Sequence, residues 1–393
     1  MVRWGKGCAT ILVAFLSAAA SAQEGFDSSR VSADLLASGV YTDNFYYGTG
    51  DEPQEAAFGA VVAPRAAYKA TKGRFDLLAT AGAELGAFNQ EPADDYEDAS
   101  AGINTSWLAT RRGRLDLRAG FERKHDPFGI NRTEDATVRD QDLDIWHAAQ
   151  GGLLFHYGAP EATLNAEVGV SALEKSYQTN EAATRFLDYT GTSLQYTLFY
   201  NFSPKTAMLF DFVRADIQFD EPFSAADARS GDEYRVRTGL KWLATGKTSG
   251  DLRVGVFRRQ FDNSTATEQG LDWQANVQWA PRARTLLDLE AARGSQESYR
   301  ADTNVNVTRS VTARWKQYWS ARLSSQLSLG QTTTNFVGIA RKDTAYNVRL
   351  GLDYMLSQSL SAVMAAESFN RTSNEPTSEF DRISAFAGIR VDY

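Results

Sequence analysis

The sequence predicts an all-β protein: a single-chain transmembrane antiparallel β-barrel of about 18 strands, with 16 as the alternative. Three observations lead to this fold class. The last segment alternates between two faces up to the C-terminus. Similar alternating segments recur from about residue 31 onward, and no stretch sustains a helical period. The connections between these segments alternate between short turns and longer loops.

The C-terminal strand runs from Ile383 to Tyr393. Its odd positions are apolar or aromatic, and its even positions carry Ser, Phe, Gly, Arg and Asp. A strand with one apolar face suits a closed barrel in a bilayer, because pairing between strands satisfies the backbone groups where water is absent. We therefore expect this strand to pair with the first strand, about Val31 to Tyr41, so that no edge remains.

The N-terminal residues 1–22 have the features of a secretory signal peptide. Two basic residues precede an apolar run from Ala9 to Ala20, and small residues then mark a cleavage site before Gln23. The run is shorter than the roughly 20 residues that a membrane-spanning helix needs. The only cysteine, Cys8, leaves with this segment. We therefore expect a mature chain without disulfides.

The composition is compatible with a membrane barrel and argues against nucleic acid as a partner. The formal net charge is -8, and an acidic surface repels phosphate backbones. The mean hydropathy of -0.39 resembles that of a soluble protein. Barrels carry apolar residues at every second position, however, so an average conceals them. We expect a short periplasmic segment at 23–30 and the barrel at 31–393.

The connections predict the number of strands and their orientation. Eight short turns alternate with nine longer polar loops, so 17 connections join 18 strands. This alternation places all short turns at one rim, the periplasmic rim in outer-membrane barrels, and the longer loops at the extracellular rim. The soluble alternative is a β-propeller, which would repeat a signature in each four-stranded blade. The sequence contains no such repeat.

Aromatic residues stand close to many of the short turns. Aromatic side chains form girdles at the two membrane interfaces of a barrel. The predicted periplasmic girdle consists of Trp107, Tyr200, Trp242, Trp279, Tyr354 and Tyr393.

The polar strand faces supply candidate residues for the lining of the lumen. They are Arg118, Lys124, Arg235, Arg237, Lys241, Arg253, Arg259, Arg314, Arg349, Asp272 and Asp353. The basic residues between 235 and 259 form a patch that would favour anions, because guanidinium and carboxylate groups match geometrically. The alternative is that opposite charges pair across strands and only keep the lumen wet. A register shift of one residue would reverse the orientation of every side chain.

Nothing in the sequence singles out a catalytic, metal or cofactor site. His147 and His156 are nine residues apart on one strand, about 30 Å at ~3.3 Å per residue, which is too far for one site. His125 ends another strand. We expect no enzymatic activity, although a hydrolase built into the barrel wall stays open as an alternative. The loop at 126–140 is long enough to fold into the lumen as a constriction.

Three segments carry a resemblance to a known family. Tyr41-Thr42-Asp43-Asn44-Phe45 closes the first strand. The hairpins at 200–206 and 279–286 repeat an aromatic residue, Ser or Ala, Pro and a basic residue. In these features the mature chain resembles the outer-membrane β-barrel porins associated with exopolysaccharide biosynthesis and export.

The resemblance implies a channel in the outer membrane of a Gram-negative cell that secretes an exopolysaccharide or a similar polar polymer. The implied partners are outer-membrane lipid and lipopolysaccharide, the barrel-assembly machinery, and periplasmic polysaccharide-export components together with the polysaccharide. Two alternatives stay open at this point. They are a general diffusion porin, and a structural or surface-interaction barrel with a blocked lumen.

Overall fold

The computed structural model describes residues 27–48, 54–90, 94–129, 131–134, 142–159, 161–224, 229–245, 247–262, 264–300 and 302–393. The predicted signal peptide, residues 1–22, lies outside these ranges. Within them, no helix is both long enough and apolar enough to cross a membrane.

Eighteen strands account for most of the described chain. They are β1 (Ser28–Thr42), β2 (Ala57–Lys72), β3 (Phe75–Phe88), β4 (Tyr96–Trp107), β5 (Gly113–Asp126), β6 (Asp144–Tyr157), β7 (Leu164–Tyr177), β8 (Tyr189–Ser203), β9 (Thr206–Phe219), β10 (Gly231–Thr245), β11 (Thr248–Phe261), β12 (Thr267–Arg282), β13 (Thr285–Gln296), β14 (Asn306–Tyr318), β15 (Leu323–Phe336), β16 (Arg341–Ser357), β17 (Leu360–Ser373) and β18 (Phe380–Asp392). The loops contain one helical turn, α1 (Glu181–Thr184), and 3-10 turns at Asn131–Glu134, Arg185–Leu187 and Pro376–Ser378.

Each strand pairs antiparallel with the next, and β18 pairs with β1. The closing register runs from Asp34 opposite Asp392 to Thr42 opposite Ser384. The predicted fold class and the predicted partner of the C-terminal strand are therefore confirmed, with 18 strands rather than 16. β1 begins at Ser28, inside the segment expected to precede the barrel.

The connections alternate between short turns and longer loops, as predicted. Eight turns of two to six residues alternate with nine loops of four to seventeen residues. Both ends of the strand series lie at the rim of the short turns, since 18 antiparallel strands return the chain to its starting side. The lumen is thus enclosed by a wall whose longer loops all stand at the opposite rim.

The outer face of the barrel carries an apolar band. Leu289, Ala313 and Leu329 lie side by side on β13, β14 and β15, and Leu289 is 40% exposed in a chain without lipid. On β16 the outer face carries Leu350, which is 50% exposed. Because successive side chains of a strand point to opposite faces, the neighbouring polar residues point to the interior.

The residues of the predicted girdle lie beside the short turns. Trp107, Trp279 and Tyr354 are about half exposed on the outer face, at 50%, 48% and 44%. Trp242 covers Gly250, its partner on β11, where an added Cβ would overlap the indole. These aromatic rings therefore occupy the boundary between the apolar band and the short-turn rim.

The two faces predict opposite responses to the same substitution at adjacent positions of β14. Ala313→Arg places a cation among lipid-facing leucines and should lower the free energy of unfolding in lipid vesicles by about 2–4 kcal/mol. Thr312→Arg places it on the inner face opposite Glu290 and should change that free energy little. Denaturant unfolding of the refolded variants measures both, and equal losses would contradict the assigned faces.

Candidate functional site

The concave side of the sheet is identified by contacts between strands that are not neighbours. Arg237 on β10 donates from Nη1 to Asp272 Oδ1 on β12, at 3.2 Å. Arg235 on β10 donates from Nη2 to Ser295 Oγ on β13, at 3.1 Å. Side chains of separated strands converge only inside a barrel. In the observed register, all eleven lumen candidates share the parity of this inner face.

A row of polar residues crosses the inner wall from β8 to β12. Thr197, Asp211, Arg237, Gly255 and Asp272 lie side by side in successive strands. Thr197 Oγ1 donates to Asp211 Oδ1 at 2.8 Å, and Arg237 donates to Asp211 as well as to Asp272. Gly255 lies so close to β10 that an added Cβ would overlap the Val236 carbonyl oxygen, and the Arg237 guanidinium reaches past it to β12. The row, called the charge row below, joins side chains of four strands across a span of five.

Further ion pairs flank the charge row. Arg235 Nε donates to Glu233 Oε1 at 2.6 Å, and Arg253 Nε donates to Asp251 Oδ1 at 2.9 Å. The side chain of Asp211 is fully buried, and that of Glu233 nearly so. Buried carboxylates need such partners, since an unpaired buried charge is strongly destabilising. The basic patch therefore consists mainly of paired guanidinium groups, as the pairing alternative describes.

The described residues of the loop at 297–305, which are 297–300 and 302–305, lie inside the lumen beside these pairs. β12 and β13 pair only as far as Trp273 and Arg293, so the end of β13 separates from β12, although it stays paired with β14 up to Gln296. Glu297 then accepts two hydrogen bonds from Arg259, both at 2.8 Å, and the Arg259 side chain is fully buried. This contact holds the loop across the inner face of β11. The loop narrows the lumen on the side of the charge row.

Two further contacts stabilise the inward loop, one with residues outside the loop and one within it. Val305 is fully buried and packs with Phe261 and Val337. Arg300 donates two hydrogen bonds of 2.8 Å to Asp302, and this guanidinium holds the pKa of Asp302 below its ordinary value. By its length alone, the loop at 126–140 was also a candidate for a constriction. In the described part of that loop, Arg132 pairs with Asp144 at the start of β6.

The wall formed by β2 to β6 is open and lined by small residues. Two cavities of about 830 and 640 Å³ lie against it. Thr80, Ser100, Gly102 and Gly120 are among their lining residues, and Arg118 borders the second cavity. Long charged side chains, among them Arg65, Glu84 and Lys124, border the cavities as well. The two cavities nevertheless show that the lumen has open volume on this side.

The remaining candidates form local ion pairs. Lys124 contacts Glu122 at 3.0 Å, and Arg314 contacts Glu290 at 2.6 Å. Arg349 and Glu367 are 2.9 Å apart, and Asp353 and Arg390 are 2.7 Å apart. Lys241 lies 5.5 Å from the ring centre of Phe199. These contacts spread both signs of charge around the lumen.

The three histidines lie at separate places. His125 Nδ1 is 2.9 Å from Asp98, and His156 lies between Asp116 at 2.7 Å and Glu167 at 2.8 Å. His147 is on the outer face, with its ring centre 5.5 Å from that of Phe121. Across the described ranges, no group of three or more His, Cys, Asp or Glu side chains is arranged to hold a metal ion.

A closed 18-strand barrel with an apolar outer face and a polar lumen is the architecture of an outer-membrane porin. The chain belongs to the family described as "Putative beta-barrel porin 2", which matches residues 30–393. The protein is therefore an outer-membrane protein of the Gram-negative cell envelope.

Solved structures of similar fold share little sequence with this chain. OpdQ from Pseudomonas aeruginosa is 11% identical, with a TM-score of 0.49 over 94% of this chain and 99% of OpdQ. A BenF-like porin from Pseudomonas fluorescens Pf-5 is 11% identical, with a TM-score of 0.49 over 94% and 100%. The apoprotein form of the FrpB iron transporter from Neisseria meningitidis is 10% identical, with a TM-score of 0.47 over 95% and 83%. No protein of curated function matches the chain.

The charge row predicts a large difference between two arginines of the inner face. Arg237→Ala leaves two nearly buried carboxylates without their main partner and should lower the free energy of unfolding by about 3–5 kcal/mol. Arg314→Ala removes a pair whose side chains are 37% and 54% exposed and should cost about 0–1 kcal/mol. Denaturant unfolding in lipid vesicles compares them, and similar losses would contradict the network.

The inward loop predicts a change in conductance. Glu297→Gln weakens the contact with Arg259 and should raise the single-channel conductance of the refolded protein, because the loop moves out of the lumen. Glu290→Gln removes an inner-face acid that does not touch this loop and serves as the control. A conductance that is unchanged in Glu297→Gln, or raised equally in both variants, would contradict the assigned constriction.

Proposed function

We propose that this protein is a channel for extended polar solutes, with a neutral or weakly charged saccharide chain as the cargo. The observation that carries the proposal is the asymmetry of the lumen. The buried ion-pair network and the inward loop occupy the β9 to β14 side, while two cavities leave a passage along β2 to β6. A solute of small cross-section can follow that wall, and the polar groups keep the passage hydrated.

The ion pairs support a cargo without strong charge. Arg235, Arg237 and Arg253 each have a carboxylate partner on the inner face, and Arg259 is bound to the inward loop. Guanidinium groups that are already paired attract a polyanion weakly. The anion-selective patch considered from the sequence is for this reason not part of the proposal, and a transport role is proposed without any catalytic role.

Export of an exopolysaccharide is the finer form of this proposal. It specifies the direction of transport and the class of polymer. Its support is the resemblance of the mature chain to porins associated with exopolysaccharide export. A deletion strain tests it through the amount of cell-surface polymer. Loss of the polymer, restored by the gene in trans, is the expected result, whereas an unchanged amount would remove this form and leave the general channel.

A structural barrel with a blocked lumen is the second candidate function, favoured by the inward loop at 297–305. Reconstitution separates the two candidates. The refolded protein should conduct ions in planar bilayers, and liposomes that contain it should swell in solutions of small oligosaccharides. A protein that stays closed even after removal of residues 298–303 would contradict the channel and support the structural barrel.

A further inference from the structure

The part of the inner wall opposite the charge row carries an apolar patch between charged groups. β1 and β10 are half a circumference apart in the closed sheet, and a cavity of about 540 Å³ lies against the inner face around β1. Leu36, Val40 and Val61 form part of its surface. Covering apolar groups that face a water-filled lumen is favourable in free energy, because it removes apolar surface from water. Such a patch therefore points to a ligand that covers it.

Two phenylalanines frame this patch. Phe386, Val40, Gly59 and Phe88 lie side by side on β18, β1, β2 and β3. The ring of Phe88 covers Gly59, where an added Cβ would lie 2.5 Å from Cδ1 and 2.7 Å from Cε1. The ring can rest against the wall only because Gly59 lacks a side chain. Phe88 and Phe386 are both partly exposed, and both border the cavity.

The aromatic surface continues along the wall on both sides of Phe88. Phe45 lies 4.8 Å from Phe88 between ring centres, and Tyr96 lies 6.2 Å from it. Tyr96 covers Gly86 in the same way that Phe88 covers Gly59, and its hydroxyl donates to Glu84 at 2.8 Å. We call Phe45, Phe88, Tyr96 and Phe386 the aromatic strip. Its rings are held in place before any ligand arrives: His125 stacks on Tyr96 with ring centres 4.2 Å apart, and the Arg349 guanidinium lies 4.8 Å from the ring centre of Phe386. Stacking of a ligand is therefore assigned chiefly to Phe88 and Phe45.

The charged groups around the cavity are balanced. Three arginines and three acidic residues border it, and Glu367 contacts Arg349 at 2.9 Å and Arg382 at 3.9 Å. A site of this kind offers hydrogen-bond donors and acceptors without a net charge. It suits a neutral ligand that has an apolar face and many hydroxyl groups. A pyranose ring has both, since its axial C–H groups can rest on the negative face of an aromatic ring.

We propose that the aromatic strip is a stacking subsite for neutral pyranose units, in the part of the lumen near the rim of the longer loops. The inference rests on the proposed channel function and specifies the class of solute. The strip binds the apolar face of a sugar ring, while the paired charges of the cavity and the polar wall beyond it exchange hydrogen bonds with the hydroxyl groups. A saccharide chain is thereby kept extended along the wall.

Maltohexaose, a neutral oligosaccharide, is the probe for the refolded protein in planar bilayers. It should interrupt the ion current transiently in the wild type. Phe88→Ala should weaken the apparent affinity about fivefold to tenfold, in the range expected for one lost aromatic contact. Phe88→Leu keeps an apolar side chain and protects folding. Its apparent affinity for maltohexaose should lie between that of the wild type and that of Phe88→Ala. Equal affinity of wild type and both variants would overturn the proposal.

Trp242→Ala is the matched control. Trp242 also covers a glycine on a neighbouring strand, but on the outer face of the barrel, so its removal should leave the interruptions unchanged. Hexagalacturonate and benzoate serve as competing probes. Tighter binding of either than of maltohexaose would overturn the assignment of a neutral sugar.

The failure of this inference is distinguishable from the failure of the channel. Ion conductance without interruption by maltohexaose would overturn the subsite and leave the channel intact. Absence of ion conductance in protein that is folded, as shown by heat-modifiable gel migration, would overturn both.

Discussion

The structure depends on one constraint: every backbone N–H and C=O group inside a bilayer must be paired within the protein. Each strand meets this requirement by pairing with its two neighbours, and the pairing of β18 with β1 removes the last edge. Closure then divides the side chains into two sets. The outer set meets lipid and is apolar, and the inner set surrounds a lumen that can hold charge.

Inside that wall, the two halves of the lumen differ in the side chains that line them. Around β10, buried carboxylates such as Asp211 and Glu233 require cationic partners, and the resulting pairs hold the wall and the inward loop together. Around β1, glycines let aromatic rings rest against the backbone, as Phe88 does over Gly59. A solute that passes between the two halves meets hydrogen-bonding groups on one side and flat apolar surfaces on the other.

The sequence predicts the barrel well because a two-residue period and alternating connection lengths are local properties. The strand number, the rim of the short turns and the β1–β18 pairing all follow from them. The partners of Arg237 and Arg259 did not follow from the sequence. Strand register brings Asp211 to Arg237, and the separation of the end of β13 from β12 brings Glu297 to Arg259. The one available signal was Asp211, an acidic residue between apolar neighbours on β9. Likewise, Phe88 and Phe386 stand far apart in the chain, and they border the same cavity only because β18 closes on β1.

Single cysteines along β18, at positions 384 to 390, test the account most directly, because the predicted mature chain has no cysteine of its own. A charged, membrane-impermeant thiol reagent should label Ser384→Cys, Phe386→Cys and Arg390→Cys in protein reconstituted in lipid. It should leave Ala385→Cys, Ala387→Cys and Ile389→Cys unlabelled, since these side chains face lipid. Equal labelling of both sets, or labelling of the odd positions alone, would contradict a barrel closed by this strand around an aqueous lumen.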